Sequence, residues 1–68
     1  MKSLKVYFVS YYKSTFFYKG EYNGKKVEVT FYPDDAYRSE FDAVETVYEE
    51  DFSSVEETKD TITIEIEC

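Results

Sequence analysis

The chain has 68 residues, enough for one domain and no more. With a single cysteine (Cys68) and no histidine, it can make neither an internal disulfide nor the Cys/His cage of a structural zinc. The fold must therefore rest on packed apolar surface, for which 8 tyrosines and 6 phenylalanines are the main supply. The net charge of −7 is unevenly spread. Residues 1–33 carry six lysines against Glu21 and Glu28, a formal +4; residues 34–68 carry thirteen acids against Arg38 and Lys59, a formal −11.

Residues 4–12 read as a strand, with Leu4, Val6 and Phe8 alternating with Lys5, Tyr7 and Val9. Lys13-Ser14 is the turn into a second strand at 15–22, in which Gly20 marks a bulge. Asn23-Gly24 is the strongest local signal, because both residues tolerate the positive φ of a two-residue hairpin turn. A third strand follows at 25–32, with Val27, Val29 and Phe31 on one face. After Pro33, the spacing of Tyr37, Phe41, Val44 and Tyr48 predicts a helix over residues 35–50, capped by Asp34 or Asp35. The competing reading is strand, because Val44, Thr46, Val47 and Tyr48 have β propensity. Residues 52–57 offer a short strand. Residues 61–67 are a strand with Ile62, Ile64 and Ile66 on one face. The expected fold is a single α+β domain over residues 1–68: an antiparallel sheet in the order β-β-β-α-β-β or β-β-β-α-β, with one helix across a face. That order is similar to β-grasp domains, a likeness of topology alone.

The residue inventory weighs against catalysis. There is no histidine for acid–base work at neutral pH, and Cys68 has no base near it in sequence. The calcium-loop pattern of alternating acids around a glycine is absent, so no metal or other cofactor is expected. Direct nucleic-acid binding is disfavoured by the net negative charge, although the lysines and tyrosines of the first half are a counter-argument. No apolar run approaches a membrane span, and the chain reads as a cytoplasmic protein.

The candidate site is the acidic half. On the predicted helix, Asp35, Asp42, Glu45 and Glu49 fall on one side, and Glu50, Asp51, Glu56 and Glu57 extend the negative surface through the next loop. Such a surface can imitate nucleic-acid phosphates and occupy the basic groove of a nucleic-acid-binding enzyme or effector complex. Tyr7, Tyr11 and Tyr18 are candidate aromatic anchors. In size, acidity and expected mixed α/β content the chain is similar to small inhibitors made by phages and mobile elements, including DNA mimics and anti-CRISPR proteins. The function expected from this is inhibition by occlusion of a basic site. The alternative is a protein–protein interaction module that uses its tyrosines and a sheet edge, including as a homodimer.

Overall fold

The computed structural model describes residues 2–32 and 43–67. It is one mixed sheet of six strands: β1 (Ser3–Tyr12), β2 (Thr15–Tyr22), β3 (Lys25–Tyr32), β4 (Val44–Tyr48), β5 (Ser54–Glu57) and β6 (Thr61–Glu67). Their order across the sheet is β4-β1-β2-β3-β6-β5. The β1–β2–β3 meander follows the expected boundaries closely. Its turns, Lys13-Ser14 and Asn23-Gly24, both have two residues at positive φ, the geometry of type I′ hairpins. The β1–β2 register slips between Phe8 and Ser10, so the bulge lies there and not at Gly20.

Two features of the expected fold are overturned. The first is the α+β class. About 75% of the described residues are strand, and no α-helix occurs among them. Of the predicted helix 35–50, residues 35–42, with Asp35 and Asp42, lie outside the described residues. The rest is strand β4 followed by a single 3₁₀ turn at Glu49–Asp51. Val44 and Tyr48 are four apart, a spacing that satisfies both a helix and a strand. Val47 separates the two readings. On a helix it would share a face with Val44; here Val47 is 4% exposed while Val44 and Tyr48 stay open to solvent, as strand alternation requires.

The second is the all-antiparallel sheet. β3 and β6 run parallel, with Val27, Val29 and Phe31 beside Ile62, Ile64 and Ile66. These six side chains are the centre of the core, joined by Leu4 and Val6 of β1, Phe16 and Tyr18 of β2, and Val47 of β4. A flat single sheet leaves both faces wet, yet Val6, Val27 and Ile64 are fully buried. Among the described residues, the cover comes from the sheet itself, which rolls. In a flat arrangement β4 and β5 would be five strand spacings apart, about 24 Å. They are joined by residues 49–53 alone, three of them coiled in a 3₁₀ turn, which reach roughly 16 Å. The roll brings β4 over the far end of β6, so that Val47, Phe31 and Ile66 line one concavity of about 400 Å³. The turn is fastened underneath by Phe52, which packs on the core. Ser53 completes the closure: its N–H donates to the Glu65 carbonyl (2.8 Å), and its Oγ accepts from the Glu67 N–H (3.0 Å).

Candidate interaction surfaces

Rolling the sheet sorts the charges. Apart from Lys2, which precedes β1, the lysines of the first half sit on β1, β2 and β3 or their turns, where two face acids across the strands: Lys19 opposite Glu28, and Lys26 opposite Glu21. The acids of the second half gather where the roll closes. Glu45 on β4, Asp51 in the turn and Glu67 on β6 border the concavity floored by Phe31, Val47 and Ile66. Glu49 and Glu50 flank the other side of the same turn with Tyr48 and Lys2. The turn is held by the Glu49 N–H donating to the Lys2 carbonyl (3.0 Å) and the Phe52 N–H donating to the Glu49 carbonyl (3.1 Å). Three consecutive acids are thus fixed in the open, with no basic residue in the turn.

The predicted acidic residues therefore divide. Glu45, Glu49, Glu50 and Asp51 do come together, though along a seam between strands and not on a helix face. Glu56 and Glu57 stand apart on edge strand β5, and Glu57 is ion-paired with Lys25, whose Nζ also donates to the Thr58 carbonyl (3.1 Å). Glu67 joins the seam and was not singled out from the sequence. Its alternation in Thr61–Glu67 shows it faces outward, but nothing local to it reveals that β4 and the turn will arrive beside it. Glu65, next to it, accepts from Ser54 Oγ (3.2 Å) and from the Tyr32 hydroxyl. That hydrogen bond, with some desolvation and the charges of Glu65 and Glu67, raises the Tyr32 phenol above its ordinary pKa.

The aromatic anchors also divide. Tyr18 is 2% exposed and belongs to the core, its ring edge-to-face with Phe8 (5.6 Å) and Phe31 (5.2 Å). It is corrected from contact to packing residue. Tyr7 is half exposed on the outer face of β1, opposite Lys19. Tyr11 is half exposed as well, but its ring lies against Phe16 at 4.5 Å. Tyr12, Val44 and Tyr48 are further exposed apolar residues.

Among the described residues, no group of three or more Asp, Glu, His or Cys side chains is placed to share a metal ion. No helix among them is long and apolar enough to cross a membrane. No protein-family model, curated protein or solved structure matches this chain.

Proposed function

We propose that this protein is a non-catalytic binding domain that occludes a basic nucleic-acid-binding surface on a protein partner, in the manner of the phage and mobile-element inhibitors it is similar to in size and acidity. The observation that supports this reading is the collection of Glu45, Glu49, Glu50, Asp51 and Glu67 along one seam, where five acids meet the single lysine Lys2. Like charges held this close cost folding free energy through self-repulsion. They also steer a basic surface toward the seam and orient it there. Tyr48, exposed beside Glu49 and Glu50, supplies apolar contact area at the same place.

The test measures inhibition of DNA binding and cleavage across CRISPR effector complexes, restriction endonucleases and repair enzymes. It compares the wild type with the triple variant Glu49→Gln, Glu50→Gln, Asp51→Asn. The expected result is inhibition of at least one enzyme, weakened by added salt and reduced at least about tenfold in the triple variant. Equal inhibition by a folded triple variant, or no inhibition of any enzyme, overturns the reading.

A further inference from the structure

The two edges of the rolled sheet are built differently. β5 is four residues long, carries Glu56 and Glu57, and so has the charge that discourages pairing with another chain. β4 has no such guard on its outer side. Its outer-face side chains are Val44, Thr46 and Tyr48, uncharged and exposed, while its one acid, Glu45, shares the inward face with Val47. Among the described residues, nothing pairs with the outer edge of β4.

The hydrogen bonds of β4 fix which backbone groups that edge offers. The Phe8 N–H donates to the Ala43 carbonyl (2.9 Å), and the Glu49 N–H to the Lys2 carbonyl (3.0 Å). Residues 43, 45, 47 and 49 therefore turn their polar groups toward β1. Antiparallel alternation leaves the N–H and C=O of Val44, Thr46 and Tyr48 pointing away from it.

We infer that β4 pairs with β4 of a second copy, antiparallel about a two-fold axis at Thr46. Only this register uses all the outward N–H and C=O groups: Thr46 exchanges two hydrogen bonds with Thr46 of the second copy, and Val44 and Tyr48 each exchange two with Tyr48 and Val44. It also sets Glu45 opposite Val47. Centring the axis on Glu45 would put two carboxylates face to face at the closest strand spacing, and centring it on Val47 would oppose Glu45 to Glu49. On the outer face the chosen register makes a row of Tyr7, Val44 and Tyr48 of the second copy, and the same row again by symmetry. Aromatic and β-branched neighbours of this kind are favourable cross-strand pairs. The pairing joins two six-stranded sheets into one; it is carried by the edge of β4 and not by the acids of the seam, although Thr46 and Tyr48 border both.

A five-residue edge spans about 17 Å and buries less than the roughly 800 Å² per partner of a standard interface, so the dimer is weak and reversible. Sedimentation equilibrium of the wild type is expected to show monomer–dimer exchange with a Kd on the order of 10–500 µM. Thr46→Pro removes an outward N–H that β1 does not use, and Val44→Lys places a charge on the edge without touching the backbone. Each is expected to weaken dimerisation at least about tenfold while the β-sheet circular dichroism is retained. In a Cys68→Ser background, Thr46→Cys is expected to form a disulfide-linked dimer on mild oxidation. Val44→Cys is expected not to, because its two copies lie about 13 Å apart in this register. A wild type that stays monomeric to millimolar concentration overturns the inference. So does a dimer that survives both Thr46→Pro and Val44→Lys, or one that cross-links through Val44→Cys and not Thr46→Cys.

Discussion

Gly20 of β2 stands opposite Val6 of β1. A Cβ there would lie 2.9 Å from the Lys5 carbonyl oxygen and 3.0 Å from a Val6 methyl. The first neighbour is backbone and cannot swing away. Gly20→Ala is expected to lower unfolding free energy by about 1–3 kcal/mol, measured by urea denaturation, as overpacking does elsewhere. Tyr32 gives the second prediction at this scale. Its folded-state pKa is raised, so its contribution to stability is present below the ordinary phenol value of about 10 and is lost as pH rises through the folded value. Glu65→Ala removes the hydrogen bond and the nearer charge, and should return Tyr32 to the ordinary range. Ultraviolet titration of phenolate formation, with Tyr32→Phe to identify the signal, measures the change. Both environments depend on neighbours from other strands, which is why Gly20 reads from sequence as a bulge and Tyr32 as one more exposed ring. Tyr18 was within reach: Phe16 and Tyr18 share a face, and Lys19 marks the other as the wet one.

The hairpins are the most legible elements because their signals are local. Two-residue turns between alternating strands fix the meander and its register next to each turn, while the slip between Phe8 and Ser10 resets the far part of the β1–β2 pair. The two turns are not equally suited to their geometry. Asn23-Gly24 adopts positive φ readily, whereas Lys13 (φ 49°) and Ser14 (φ 62°) do so against their Cβ. Ser14→Gly is expected to raise stability by about 0.5–1 kcal/mol, seen as an increase of a few degrees in Tm. β4 reads as helix for a reason equally local. Its apolar spacing fits two periods, and the deciding fact, burial of Val47 against Leu4, comes from a strand forty residues earlier in the chain. β6 carries an unbroken Ile alternation and was legible in position, but not in its choice of neighbour.

At the scale of the molecule, the sequence announces a division of charge but not its arrangement. The −11 half becomes a seam only because the roll brings β4, at one edge of the sheet, together with β6, four strands away in the order. No local pattern encodes that roll. It follows from a short connection between distant strands and from apolar faces that no other element among the described residues covers. The parallel placement of β6 has a kinetic side. Its partner strand ends at Tyr32 and β6 begins at Thr61, so the central pairing of the core joins segments separated by nearly half the chain. The meander can form within microseconds from contacts between adjacent strands, but it then waits with Val27, Val29 and Phe31 on an open edge. During synthesis that edge stays uncovered until residues 61–67 have been made, which makes the nascent chain most prone to aggregate just before its last strand arrives.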